Sequence, residues 1–93
     1  LPAVLVSGGA KGADALAERL AQERGLTIDV IRADWNRYGR GAGPIRNKQI
    51  VESADLVIAF WDGKSRGTRS ALAHADKVGV PMEVHHPDGT VTD

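Results

Sequence analysis

The stretch that decides the fold is LVIAFW, residues 56–61, in which every side chain is apolar. A strand without polar positions must be covered on both faces, and such strands are typical of the middle of a parallel sheet between helices. The next residues, DGKSRGT at 62–68, bring two glycines, two cations and two hydroxyls together. This segment therefore predicts a buried central strand that ends in a polar loop.

Strand and helix patterns alternate on both sides of this strand. Short apolar or β-branched runs predict strands at residues 3–6, 27–32, 56–61 and 80–84. Apolar side chains at helical spacing predict helices that begin at Ala13, at about Pro44 and at about Thr68. This alternation indicates an α/β fold, a Rossmann-like three-layer sandwich with a mostly parallel sheet of about four strands and three helices.

Length and composition predict one folded domain. The chain has 93 residues, 42% of them hydrophobic and 26% charged, with no apolar run long enough to cross a bilayer. We therefore expect a single domain over residues 1–93 with a tail at 85–93, in the cytoplasm and without membrane contact. The absence of cysteine excludes disulfides, thiol nucleophiles and thiolate metal sites. Because a chain this short buries only a thin core, we also expect a homodimer.

Charge is balanced overall but unevenly placed. The formal net charge is zero, which argues against a protein that coats nucleic acid through a general basic field. Residues 32–48 nevertheless hold five cations against the single anion Asp34, so a local anion site remains open. The histidines indicate no metal centre, since His85 and His86 are adjacent while His74 is distant in sequence. No cofactor is expected.

Three glycine-bearing loops follow the predicted strands. In parallel α/β sheets, ligands bind outside the carboxyl ends of the strands. The loops that should meet there are SGGAKGAD, ADWNRYGRGAGPIRN and WDGKSRGT, at residues 7–14, 33–47 and 61–68. The sequence therefore predicts one composite site at this edge of the sheet.

The first loop suits a ligand that approaches the backbone closely. Gly8 and Gly9 allow positive φ, and Gly12 allows the next helix to start against the strand, so that its amides face an anion. An ordinary strand-to-helix turn explains the same residues. Asp14 would repel a phosphate at that helix start, so a sugar hydroxyl is its expected partner.

The last loop is better suited to phosphate. It combines glycines, cations and hydroxyls at a helix start, namely Gly63, Lys64, Ser65, Arg66, Gly67 and Thr68. A P-loop is excluded, because it requires glycine where this chain has Ile58 and a helix that starts at the lysine. A solvated turn remains the alternative. In the middle loop, Arg46 and Asn47 could bind carboxylate or phosphate, while Trp35 and Tyr38 could stack on a base.

Parts of these loops resemble a known family. Four segments, in order between residues 4 and 84, resemble the YspA-like branch of the SLOG superfamily: SGGAKGADALA, ADWNRYGRGAGPIRNKQIV, ADLVIAFWDGKSRGT and GVP. The resemblance implies a Rossmann-like domain that binds a nucleotide or nucleotide-derived ligand. The pocket positions that it implies are Gly8, Gly9, Gly12, Asp14, Arg46, Asn47, Gly63, Gly67 and Thr68. Members of the superfamily occur in bacterial and phage conflict systems, which implies a sensor or processor of nucleotide signals.

Two departures from that family leave the activity open. Ala71 occupies the position where LOG-type phosphoribohydrolases carry a glutamate, so the acid that assists glycosidic cleavage is missing. The family's first strand and helix are also missing, which predicts a rearranged sheet, a strand from another chain or a chain shortened at its N-terminus. If the chain cleaves a nucleotide N-glycosidic bond, Asp14, Asp34 or Asp62 would be the catalytic carboxylate. Single-strand nucleic-acid binding, as in DprA, is the third hypothesis and would use residues 32–48.

Overall fold

The structure is a computed structural model that describes residues 2–8, 11–32 and 42–92, with the backbone alone at 42–47. Its strands are β1 (Pro2–Gly8), β2 (Thr27–Arg32), β3 (Leu56–Trp61), β4 (Met82–His85) and β5 (Val91–Thr92). Its helices are α1 (Ala13–Arg24), α2 (Ala42–Ser53) and α3 (Arg66–Val78). Strands and helices thus alternate from β1 to β4, as the sequence predicts.

Within the described residues, the strands form one five-stranded sheet in the order β2-β1-β3-β4-β5. The longer strands β1 to β4 pair in parallel, and β5 pairs antiparallel with β4. The prediction of a mostly parallel α/β sandwich is confirmed, with one strand more than expected. The sequence signal for β5 is weak, because the turn at residues 87–89 leads into only two paired residues, too few to show a period.

β3 lies in the middle of the sheet, between β1 and β4, as its uninterrupted apolar sequence predicts. Val57, Ile58 and Ala59 are all 0% exposed. Alternate residues of the strands face opposite helix layers. The layer on the α1 face packs around Ala3, Leu5, Ala13, Leu16, Ala17, Leu20 and Ile58. The layer of α2 and α3 packs around Val4, Val6, Val51, Ala54, Val57, Ala71 and Ala75.

Two helix starts shape the carboxyl edge of the sheet. Gly12 precedes α1 with φ 97°, a left-handed conformation that favours glycine. α3 begins at Arg66, earlier than the predicted start near Thr68. The reason is Ser65, whose hydroxyl accepts a hydrogen bond from the Thr68 amide and caps the helix. Gly67 therefore lies inside the first turn of α3 and does not precede it.

The sheet is continuous at β1, which pairs with β2 on one side and β3 on the other. Within the described residues β1 and β3 are direct neighbours, so no further strand lies between them. The outer edge of β2 pairs with no strand among the described residues. In the same part of the chain, no helix has the length and apolar character needed to cross a bilayer.

Candidate ligand site

The strand order reverses between β1 and β3. The chain leaves β1 to form β2 on one side, and it returns to form β3 on the other side. In open α/β sheets, ligands bind in the crevice outside the carboxyl ends of such a strand pair. Gly8 pairs with Trp61 at the ends of the two strands, so the loops that follow them begin side by side. The structure thus brings the first and last predicted loops together.

α3 starts directly against Gly8. A Cβ atom added at Gly8 would lie 2.6 Å from Ser65 Oγ and 2.7 Å from Ser65 Cβ, and it would collide with Thr68 Oγ1. Only glycine therefore fits between the end of β1 and the first turn of α3. The close approach predicted at Gly8 is an approach of protein to protein, and it places the N-terminus of α3 over the end of β1.

Thr68 carries an unpaired polar group in this contact. The residue is 0% exposed, and its Oγ1 is buried without a hydrogen-bond partner among the described residues. A buried hydroxyl that stays unpaired costs about 1–3 kcal/mol, so such groups are uncommon in folded proteins. The neighbouring Gly67 is also buried. Within the described crevice, this hydroxyl is the group that would gain most from a ligand.

Some backbone amides of the loop before α3 already donate hydrogen bonds within the loop. Asp62 Oδ1 accepts hydrogen bonds from the Lys64 amide at 2.9 Å and from the Ser65 amide at 3.3 Å. Among the described residues, the amides of Arg66 and Gly67 have no acceptor. The positive end of α3 thus offers these amides to an anion, a smaller set of donors than the loop sequence suggests.

The candidate catalytic carboxylates differ in their surroundings. The hydrogen bond from the Lys64 amide holds the pKa of Asp62 below its ordinary value of 3.8, so this carboxylate is a weak proton acceptor. Asp14 is 77% exposed in the first turn of α1, and its Oδ2 lies 3.7 Å from Arg32 Nη2. Asp34 lies outside the described residues. Asp62 therefore shapes its loop, and Asp14 lies at an exposed rim.

Trp61 anchors the last loop. Its Nε1 donates a hydrogen bond to the Ser65 carbonyl at 3.1 Å, and Arg69 Cζ lies 6.0 Å from the ring centroid. Lys64 and Arg66 are exposed, so their charges stand at the mouth of the crevice. The loop is thus held by its own hydrogen bonds while its cations face solvent.

The remaining predicted positions are placed in part. α2 begins at Ala42, two residues before the predicted start at Pro44, so Arg46 and Asn47 lie in its second turn and not in its first, and the structure describes only their backbone. The predicted residues outside the described ranges are Gly9, Asp34, Trp35 and Tyr38. Gly63 has φ 83° and follows Asp62 in the turn, where an added Cβ would meet open space.

Ala71, which stands where the resemblance to LOG-type hydrolases leads us to expect a glutamate, is a core residue. Ala71 is 4% exposed and belongs to the core under α3, so it presents no acid to the crevice. The histidines pair separately, His74 with Glu52 at 2.8 Å and His85 with Glu83 at 3.0 Å. In the described part of the chain, no three potential ligands lie close enough together to hold a metal ion.

Sequence reasoning misses an ionic chain on the α1 side of the sheet. Arg24 Nη1 donates to Glu83 Oε2 at 2.7 Å, and Glu83 Oε1 lies 3.0 Å from His85 Nε2. The available signal is the i, i+2 spacing of Glu83 and His85, which puts both residues on one face of β4. Arg24 could not be assigned to them, because 59 positions separate it from Glu83.

Known proteins are similar to this chain in sequence. The model of the family described as YspA, cpYpsA-related SLOG family matches residues 2–38. The chain is 41% identical over 85 residues to Gene 61 protein of Mycobacterium phage D29. The alignment covers 85% of this chain and 68% of that protein. The chain belongs to the YspA, cpYpsA-related SLOG family. The resemblance found in the sequence is thereby confirmed.

Membership in the SLOG family suggests a nucleotide-related ligand. The family match at residues 2–38 includes β1, α1 and β2, so it contains one side of the crevice. The name of the phage relative states neither a ligand nor a reaction. For this SLOG domain, family membership supports the class of ligand, and the residues of the crevice are needed to argue how that ligand binds.

Proposed function

We propose that this SLOG domain binds a nucleotide or nucleotide-derived ligand in the crevice between the end of β1 and the start of α3. The observation that carries the proposal is Thr68 Oγ1, which is buried against Gly8 without a partner among the described residues. A ligand oxygen in the crevice would accept the hydrogen bond that this hydroxyl lacks. SLOG membership supports a nucleotide-related ligand.

The phosphate of the ligand binds at the N-terminus of α3. The amides of Arg66 and Gly67 have no acceptor among the described residues, and the helix dipole adds partial positive charge there. The side chains of Lys64 and Arg66 are exposed at the mouth and supply further charge. Charge-assisted hydrogen bonds are about twice as strong as neutral ones, so this end of the crevice contributes most of the affinity.

The sugar and base bind toward the starts of α1 and α2. Asp14 can accept hydrogen bonds from ribose hydroxyls, and Arg46 and Asn47, in the second turn of α2, are assigned to the same part of the ligand as donors. The proposed ligand-binding residues are Gly8, Gly9, Gly12, Asp14, Arg46, Asn47, Gly63, Lys64, Ser65, Arg66, Gly67 and Thr68.

Binding without catalysis is the form of this function that the crevice supports best. A general base works best with a pKa near the working pH, whereas the pKa of Asp62 is held low by the Lys64 amide. Ala71 stands in the core at the position of the acid in LOG-type hydrolases. We therefore propose that the domain senses or carries its ligand.

Isothermal titration calorimetry with AMP, GMP, ADP-ribose and cyclic di-AMP tests this proposal. We expect saturable binding of at least one phosphate-bearing ligand and none of the corresponding nucleoside at the same concentration. Chromatography of the bound ligand after incubation should show no free base, and its release would instead establish an N-glycosidic hydrolase.

The variant Thr68→Val distinguishes ligand binding in the crevice from non-specific binding elsewhere on the protein. This variant should bind the ligand about tenfold more weakly or worse, because a hydrogen bond to a charged acceptor is worth about 1.5–3 kcal/mol. Thr27→Val is the matched control, since Thr27 is exposed at the start of β2. Absence of binding in wild type at millimolar concentration, or an equal loss in both variants, contradicts the proposal.

The proposal includes a homodimer. The outer edge of β2 has no strand partner among the described residues, and unpaired sheet edges promote association. Sedimentation equilibrium should give twice the chain mass, and a monomer mass at every concentration tested contradicts this part of the proposal.

A further inference from the structure

A groove runs along α1 on the side that faces the β4–β5 hairpin. Its volume is about 670 Å³, within the range of about 300–1,000 Å³ that small-molecule sites occupy. One wall comes from α1 and the loop before it, the other from residues 86–91, and Phe60 and His85 lie between them. α3 packs on the opposite face of the sheet, so this groove is separate from the crevice at Thr68.

The groove contains an imidazole that is held in one orientation. The side chain of His85 is 8% exposed, and its Nε2 lies 3.0 Å from Glu83 Oε1. The other oxygen of Glu83 accepts a hydrogen bond from Arg24 Nη1 at 2.7 Å. That bond holds the pKa of Glu83 below its ordinary value of 4.5, so a carboxylate stands behind the ring. The two carboxylate oxygens of Glu83 therefore bind two different side chains, Arg24 and His85.

Phe60 and His85 are neighbours in the lining of the groove. The two residues are direct partners across β3 and β4, so their side chains lie next to each other on the α1 face. Leu16, Leu20 and Val91 also line the groove, and Val91 is 51% exposed. Covering this surface with a ring would remove apolar area from water and allow aromatic stacking.

The groove also carries an excess of positive charge. Lys11, Arg19 and Arg24 line it against the single lining carboxylate of Glu23. Glu23 lies 4.0 Å from Arg19 in an exposed pair, and Arg24 is paired with Glu83. Lys11 makes no ion pair with another described residue. The complementary occupant is therefore an anion.

We propose that this groove is a second ligand site and that it binds a small ring-bearing organic anion. The ring packs against Phe60 and His85, and the anionic group meets the charges of Lys11 and Arg19. Phe60, His85, Lys11 and Arg19 are not among the proposed nucleotide-binding residues, and Gly12 is the one proposed nucleotide-binding residue that also lines the groove.

The ionic chain through Glu83 also ties β4 to α1, so a change in stability alone would not identify a ligand site. Variants of exposed cations avoid this ambiguity. Lys11→Gln and Arg19→Gln remove charge from the groove and leave Glu83 untouched. Lys77→Gln is the matched control, since Lys77 is an exposed cation in the last turn of α3 on the other face of the sheet.

Titration of the full chain with 2-naphthoate, followed by ¹H–¹⁵N NMR, tests the proposal. We expect saturable shifts at the amides of Leu16, Leu20 and His86, which line the groove and are not among the proposed nucleotide-binding residues. The neutral analogue 2-naphthamide should bind about fivefold more weakly or worse, and Lys11→Gln and Arg19→Gln should each weaken naphthoate binding about two- to fivefold. Lys77→Gln and Thr68→Val should leave it unchanged.

Four outcomes overturn the proposal: shifts that do not saturate, shifts centred on the start of α3, equal binding of naphthoate and naphthamide, or an equal effect of Lys77→Gln. Because Thr68→Val should weaken nucleotide binding and spare naphthoate binding, the two sites succeed or fail separately.

Discussion

Removal of the Thr68 hydroxyl should stabilise the unliganded protein, which is the reverse of the usual effect of a buried substitution. Thr68→Val replaces Oγ1 with a methyl group of nearly the same size in a residue that is 0% exposed. Oγ1 has no hydrogen-bond partner among the described residues, so folding takes it from water without compensation. Since an unpaired buried hydroxyl costs about 1–3 kcal/mol, we expect the free energy of unfolding to rise by about 1–2 kcal/mol.

Urea unfolding followed by circular dichroism measures this change, and thermal unfolding provides a second value. For a domain of this size, 1 kcal/mol raises the melting temperature by about 4–8 °C. Thr68→Ser is the matched control, because it keeps the hydroxyl and deletes one buried methyl group. That variant should lose about 0.5–1.5 kcal/mol.

Bound ligand should shift the stability difference between Thr68→Val and wild type in the opposite direction. A phosphate-bearing nucleotide should stabilise wild type more than Thr68→Val, because the hydroxyl then has an acceptor. A loss of more than about 1 kcal/mol by unliganded Thr68→Val would refute the reasoning, since the hydroxyl must then have a partner within the folded chain. Greater stability with unchanged nucleotide affinity would place the ligand away from Thr68.

Three further predictions concern the crevice at Thr68 and the ionic chain through Glu83. Gly8→Ala should lower the free energy of unfolding in urea by about 1–3 kcal/mol, since its Cβ meets the first turn of α3. Gly63→Ala has open space around its Cβ and should lose only about 1 kcal/mol from its left-handed backbone, so equal losses contradict the packing argument. Ser65→Ala removes the N-cap of α3 and should cost about 1 kcal/mol; unchanged thermal stability would show that the cap is not formed. The hydrogen bond from Arg24 lowers the folded-state pKa of Glu83, so this group adds stability above pH 4.5 that is lost as the pH falls through the lowered pKa. Unfolding measured from pH 7 down to acid should show this loss in wild type, and Glu83→Gln should remove part of it, whereas an identical pH profile contradicts the linkage.

Short-range patterns predict the elements of this fold well. The apolar run at residues 56–61 places β3 at the centre of the sheet, and the helical spacing from Ala13 places α1. Both signals depend on neighbours within a few positions, so no tertiary knowledge is needed. The predicted start of α3 comes too late, because the cap at Ser65 extends the helix back to Arg66.

Contacts between distant segments determine the candidate site. Gly8 meets Thr68 only because β1 and β3 are neighbours in the sheet. Arg24 meets Glu83, 59 positions away, because α1 lies on the face of the sheet from which Glu83 projects. Neither contact leaves a periodic signal in the chain, so residue spacing alone predicts neither of them.

The sequence by itself determined the layers and the polar loops of this SLOG domain, because residue spacing and local backbone preference specify them. The tertiary structure alone decided that the Thr68 hydroxyl is buried without a described partner, that Asp62 occupies the amides of its loop, and that a positively charged groove lies along α1. Burial and hydrogen-bond pairing depend on which groups arrive from elsewhere in the chain, and this is the physical reason for the division.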